Sequence, residues 1–216
     1  GTAAALYEDG FVWGGKLYLD AAHTSSPVQV IRVGGQTYNQ GTRAGKVNGF
    51  GAGAVAVSPA DDRSRIYRIR RDYASMPASE IRSDAATLGG ILESDVTSAQ
   101  MAAITAQYAT DWANWPVDLG APYVERNGTP GYQAPPAFSE TFTVDNLVSG
   151  KYDEPGIAGA DPNSPADQVV WTVYNDLDRS ATYGLYRSEP IGLEGQVTMW
   201  GYKRTDALGN LYFKKI

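Results

Sequence analysis

With 216 residues, 43% of them hydrophobic and 19% charged, the chain has enough apolar material for a substantial core and too much for a disordered tail. A formal net charge of -6 works against the phosphate attraction that dominates nucleic-acid affinity, so nucleic acid is not an expected partner. The absence of cysteine excludes thiolate catalysis, disulfide staples, zinc–thiolate sites and iron–sulfur clusters.

Apolar runs such as 169–174 are far shorter than the roughly 20 residues a membrane-spanning helix needs, so no membrane insertion is expected. The chain opens on Gly-Thr-Ala-Ala-Ala and closes on a strand-like Leu-Tyr-Phe-Lys-Lys-Ile, which points to a piece of a larger parent protein.

Twenty-four glycines and twelve prolines punctuate short runs rich in Val, Ile, Tyr and Trp, the pattern of strands separated by turns. In chain order, strands are predicted over 10–19, 28–33, 45–50 and 65–70. The last is arginine-rich (Arg63, Arg65, Arg68, Arg70, Arg71) and reads as an edge strand whose guanidinium groups pair with carboxylates.

Residues 79–115 break the β pattern and predict two helices. The second is signalled by Thr97 followed three residues later by Gln100, a capping box. Met101, Ile104, Tyr108, Trp112 and Trp115 then form an apolar stripe expected to pack on a sheet, and Pro116 stops the helix.

From 117 to 167 the chain is rich in Pro, Gly, Asn and Asp and reads as a long loop region, with a short strand over 141–148. Further strands are predicted over 168–175, 182–186, 192–202 and 210–216. In the strand over 192–202, alternation places Ile191, Leu193, Val197 and Met199 toward a core and Glu194, Gln196, Thr198, Trp200 and Tyr202 on the opposite face. The expected architecture is a single mainly β domain over residues 1–216: an antiparallel β-sandwich carrying the two-helix insertion and the loop region.

Several motifs fail as catalytic sites. Gly41-Thr-Arg-Ala-Gly45-Lys46-Val47 has the wrong spacing for a phosphate loop and lacks its Ser or Thr, so its glycines read as turn formers. His23 is the one histidine, which leaves a histidine-based metal site or a Ser-His-Asp triad without support. Paired carboxylates remain open, because glycoside hydrolysis needs only two acids a few ångströms apart; Glu194 is the candidate.

An oxygen-rich group, Asp153, Glu154, Asp161, Asn163 and Asp167, followed by Asn175, Asp176 and Asp178, offers the oxygens that calcium prefers, in competition with ordinary turn formation; Asp153, Glu154, Asp161 and Asp167 are the expected ligands. Trp200 and Tyr202, with Glu194 beside them, are candidates for stacking on and hydrogen-bonding a sugar ring. The residues thus favour a non-catalytic structural or adhesion-type module, with a carbohydrate-binding module and a glycoside hydrolase-like enzyme as alternatives.

The segments FVWGGK (11–16), IRVGGQTYNQGTRAGKV (31–47), RIYRIRRDY (65–73), DWANWPVDLGAPYV (111–124), PGIAGADPNSPADQVVWTVYNDLD (155–178), GLYRSEPIGLE (184–194) and TDALGNLYFKK (205–215) form an ordered series of motifs. This series resembles a region near the N-terminus of large secreted proteins of Bacteroidetes-type bacteria, similar to cargo of the type IX secretion system. The resemblance implies an extracellular or cell-surface location and no particular activity. Relatives carry a calcium-like Asp-x-Asn-Gly-x-Gly-x-Tyr-Asp loop. Here the matching stretch, Glu125 to Gln133, lacks both terminal aspartates, so the metal expectation rests on Asp153 to Asp167.

Overall fold

The computed structural model describes residues 12–18, 20–33, 41–49, 53–70, 72–121 and 166–216. Their elements are nine strands and three α-helices: β1 (Val12–Leu17), β2 (Val28–Val33), β3 (Arg43–Ala44), β4 (Val47–Asn48), β5 (Val55–Ala56), β6 (Tyr67–Arg70), α1 (Ala78–Gly89), α2 (Ser98–Ala113), β7 (Gln168–Asn175), α3 (Arg179–Tyr186), β8 (Glu194–Gly201) and β9 (Tyr212–Lys215). Every strand pair with an assigned register is antiparallel. The largest sheet has the order β3-β7-β8-β9, with β6 also paired to β7, and among the described residues no barrel closes. The predicted strand over 141–148 lies outside the described residues.

The chain divides into two compact units, one comprising Gly1–Arg65 with Thr172–Gln196, the other Ile66–Trp171 with Val197–Ile216. In the first, β1 and β2 form a ribbon, and α3 packs on β2. Arg43 and Ala44 of β3 pair with Asn175 and Tyr174 of β7. Where β3 turns into β4, Gly45 adopts φ 124° and donates its N–H to Val173 O at 3.0 Å, while the buried Asn175 amide donates to Gly45 O at 2.8 Å. The glycines of this stretch are therefore turn glycines, as their spacing predicts. The continuous strand expected over 45–50 is interrupted, with β4 reduced to Val47–Asn48.

Buried Asp176 accepts the N–H groups of Ile191 and Leu193 at 3.0 and 2.9 Å, so its charge is met by directed donors. Leu193, expected in the core, is 46% exposed.

One predicted strand is a helix. Residues 182–186 belong to α3, because the Asp178 carboxylate accepts the N–H groups of Ser180 and Ala181 and thereby caps a helix ahead of the β-branched and aromatic residues. The ordinary strand preference of Thr182 and Tyr183 is overridden by that cap and by packing, with Ala181 and Thr182 buried.

The second unit holds the two predicted helices. The capping box of α2 forms as expected: Gln100 N–H donates to Thr97 Oγ1, and Thr97 N–H donates to Gln100 Oε1. Its stripe is buried at Tyr108, Trp112 and Trp115, and α2 packs on β6, whose Tyr67 and Ile69 point into the same core. Tyr67 meets Trp115 edge-on at 6.5 Å and Trp171 at 6.1 Å between ring centres. Met101 and Ile104 lie against Ala85, Ala86 and Val96, joining α2 to α1. β6 alternates buried Tyr67 and Ile69 with half-buried Arg68 and Arg70, which leaves Arg70 on the other face at the strand end.

Candidate functional site

That alternation places Arg70 at a cavity of about 540 Å³ in the second unit, within the usual range of roughly 300–1,000 Å³ for small-molecule sites. Val170, Met199, Trp200 and Leu211 supply apolar wall, Tyr202 and Tyr212 amphipathic rings, and Arg70, Glu80, Asp167, Gln168 and Lys203 the charged and amide groups.

The charged wall draws on β6, α1, the segment before β7 and the segment after β8. Arg70 grips Asp72 with two donors at 2.9 Å, Glu80 Oε2 at 2.6 Å and Asp84 Oδ2 at 3.4 Å. Glu80 and Asp84 stand four residues apart on α1, hence on one helix face, which is why a single guanidinium reaches both. Glu80 also sits in the first turn, where the helix dipole favours a negative charge.

Lys203, just beyond β8, donates its Nζ to Glu80 Oε1 at 2.6 Å and its backbone N–H to Asp167 Oδ2 at 2.6 Å. Asp167 in turn donates its N–H to Gly201 O at 3.0 Å, so the start of β7 and the end of β8 are laced together at the cavity floor.

Electrostatics follow the geometry. The hydrogen bonds from Lys203 and then Arg70 hold the Glu80 carboxyl below its ordinary range. Burial works against the Arg70 charge, but hydrogen bonds to Asp72 and Glu80 outweigh it and keep the guanidinium more firmly protonated than usual. Behind the wall, Tyr108 of α2 donates its hydroxyl to Asp84 Oδ2 at 2.9 Å and accepts from the Gln168 amide at 3.3 Å. Burial, then the Asp84 charge, pushes the Tyr108 phenol up to about 12, so it stays a donor.

The sequence-predicted residues meet different fates. Trp200 and Tyr202 both line the cavity, as does Asp167. Trp200 is not the exposed platform that alternation predicts: it is 5% exposed and stacked on Phe213 at 5.4 Å. Val197, Thr198 and Trp200 are all buried, so β8 is covered on both faces there, and a polar-out reading of alternate residues fails. Trp200 Nε1–H is buried without a hydrogen-bond acceptor among the described residues. Tyr202 packs edge-on against Phe213 and is half-buried.

Glu194 is occupied elsewhere. Its Oε2 accepts Val47 N–H at 2.7 Å and its Oε1 accepts the Gln196 amide at 2.8 Å, so both oxygens serve the strands, and Glu194 is not among the cavity-lining residues. Asp153, Glu154 and Asp161 lie outside the described residues. Among the described residues no group of three or more His, Cys, Asp or Glu side chains converges as a metal site would require. His23 is an exposed turn residue with φ 55°, stacked on Tyr18 at 4.5 Å.

Arg70, Glu80, Lys203, Gln168 and Tyr212 are cavity-lining residues that the sequence reading does not single out as site residues. Glu80 and Asp84 at a four-residue step on a predicted helix were a legible hint of a shared cationic partner. Tyr212, 47% exposed on β9, offers the accessible ring that Trp200 does not. No match was found when the chain was compared with protein-family models, with curated proteins and with solved structures.

Proposed function

We propose that this chain is a non-catalytic module of a larger secreted or cell-surface protein and that it holds a carbohydrate in the cavity of its second unit. The observation that carries the reading is the coexistence, in one cavity of sugar-sized volume, of tyrosine rings (Tyr202, Tyr212) with fixed hydrogen-bonding groups (Glu80, Asp167, Gln168, Lys203). Flat rings suit the apolar face of a pyranose and pre-oriented polar groups suit its hydroxyls.

A binding role is favoured over hydrolysis by the state of Glu80. A glycosidase needs one carboxyl raised so that it can donate a proton, whereas Glu80 is held in its ionised form by Lys203 and Arg70. The resemblance to secreted proteins of Bacteroidetes-type bacteria supports the extracellular setting, and the proposal takes the antiparallel strands as parts of a β-sandwich, an architecture frequent in cell-surface modules. Calcium enters the proposal as a stabilising ion on Asp153, Glu154, Asp161 and Asp167; melting unchanged by a chelator removes it.

The test is calorimetric titration of the intact chain with short oligosaccharides, before and after Tyr212→Ala. Loss of a stacking ring is expected to weaken binding by about tenfold. Absence of binding to any sugar, or binding indifferent to Tyr212→Ala, sinks the reading. Trp200→Ala is a poor probe, because truncating a buried indole perturbs folding first.

A further inference from the structure

We infer that the carbohydrate held here carries a carboxylate, as uronate sugars do, and that Arg68 beside the cavity is the residue that selects it; the inference rests on the carbohydrate reading above. Its starting point is one face of the sheet in the second unit. On β6 the half-buried Arg68 and Arg70 alternate with buried Tyr67 and Ile69. Register sets Arg68 opposite Val170 and Arg70 opposite Gln168, and on the far side it sets Met199 opposite Lys214 and Gly201 opposite Tyr212. Arg70, Val170 and Met199 line the cavity, so the cavity lies on the face that Arg68 and Lys214 share, with Arg68 at its β6 margin.

Arg68 stands apart from the other arginines. Its backbone N–H donates to Asp111 Oδ2 at 2.9 Å, but among the described residues its guanidinium makes no hydrogen bond and no ion pair. Arg43, Arg65, Arg70 and Arg82 are half-buried too, and each is met: Arg43 by Asp178, Arg65 by Asp62, Arg70 by three carboxylates, Arg82 by the carbonyls of Glu93 and Val96. The expectation that the arginines of this strand pair with carboxylates thus holds for Arg65 and Arg70 and fails for Arg68. A guanidinium partly withdrawn from water without a partner carries a cost that an arriving oxyanion removes, and its planar fork matches a carboxylate through two parallel bonds.

The acids of the cavity wall already have partners. Glu80 gives one oxygen to Lys203 and the other to Arg70, Asp72 and Asp84 are engaged by Arg70, and Asp167 holds the Lys203 backbone. The lining charges, Arg70 and Lys203 against Glu80 and Asp167, cancel, so the cavity itself admits a sugar ring without preference for charge and the unmatched cation at its margin sets the preference. Lys203 reinforces the same sign. Its side chain is 60% exposed and its ammonium spends one of three donors on Glu80, which leaves donors for a second unit of an acidic chain.

Calorimetric titration of the intact chain with galacturonate and mannuronate trimers, and with the methyl ester of each, tests this, because esterification keeps the ring and removes the charge. At least one free acid is expected to bind about tenfold more tightly than its ester, with the gap shrinking as salt is raised. Arg68→Gln leaves the backbone bond to Asp111 in place and is expected to close that gap, while ester affinity and melting stay unchanged and show that the fold is kept. Arg68→Lys keeps the charge without the fork and is expected to retain part of the gap. Equal binding of each acid and its ester, or a gap that survives Arg68→Gln, overturns the uronate inference, and binding of the esters then leaves the carbohydrate reading standing. If none of the four trimers binds, the uronate inference falls by itself, and titration with neutral oligosaccharides before and after Tyr212→Ala decides the carbohydrate reading separately.

Discussion

Lys203 is bonded to Glu80 through its side chain, Nζ to Oε1 at 2.6 Å, although 123 positions separate them in the chain. The contact ties the segment leaving β8 to the first turn of α1, and Arg70 completes the bracket by donating to the other oxygen of the same carboxylate. A glutamate gripped by two cations is a pH-sensitive element. Its folded-state value is depressed, so the stability it contributes is present above about 4.5, the ordinary value, and is lost as pH falls through the lower folded value. Lys203, raised by the same bond, keeps its contribution up to its ordinary 10.5 and loses it only above that. Melting temperature is therefore expected to fall on acidification below pH about 4.5 more steeply in the natural chain than in Glu80→Gln. Parallel curves for the two proteins refute this assignment.

Helix α2 owes its start to a reciprocal pair, Thr97 and Gln100, each accepting from the other's backbone. Thr97→Ala is expected to cost about 1 kcal/mol in denaturant unfolding at unchanged slope. Because the pair acts as one unit, adding Gln100→Ala to Thr97→Ala is expected to cost less than the sum of the single changes. Strict additivity in that double-mutant cycle contradicts a working capping box.

Gly45 is the position where backbone conformation leaves least choice. At φ 124° an L side chain is strained, and a Cβ there runs into Val57 O, with Ser64 Oγ at 3.1 Å. Gly45→Ala is expected to destabilise the chain by more than about 1 kcal/mol, whereas Gly53→Ala, whose Cβ meets nothing within 4 Å, is expected to be far milder. Equal losses from the two substitutions would show that the turn relaxes and that the contact with Val57 is unimportant.

The contrast between these positions and the cavity shows what the sequence made legible. Local rules identified α2, because its cap, stripe and stop lie within twenty residues, and they placed β2 and β7 at their observed ends. They misread 182–186, where the Asp178 cap followed by Ser180 and Ala181 was a helix signal masked by β-forming side chains. They also misjudged Trp200, since alternation predicts which residues share a face but not whether that face is open to water. The cavity lining is only half visible in the sequence, which offers Trp200 and Tyr202 as stacking residues and Asp167 as a metal ligand. Their partners Arg70 and Glu80 come from a strand and a helix nearly a hundred residues or more upstream, and no local pattern records that juxtaposition.

Tyr108 links the helix core to that site and gives the sharpest structural test of it. The residue is 3% exposed, its hydroxyl donating to Asp84 and accepting from Gln168, which lines the cavity. Removing the hydroxyl in Tyr108→Phe leaves the Gln168 amide without that acceptor and Asp84 with only Arg70 from the described network, an expected loss of about 1 to 2 kcal/mol. Burial and the Asp84 charge push the Tyr108 phenol up from 10.0 to about 12, so the protonated form belongs to the folded state. The stability it adds is complete below pH 10 and declines as pH rises toward 12, and Tyr108→Phe is accordingly expected to flatten the alkaline limb of the stability curve. Freed of its anchor, Gln168 also samples more rotamers, so sugar affinity is expected to drop by a few-fold in the same variant. A Tyr108→Phe protein that melts like the natural chain and keeps both its alkaline limb and its ligand affinity shows that the Tyr108 bonds contribute nothing to holding the cavity wall.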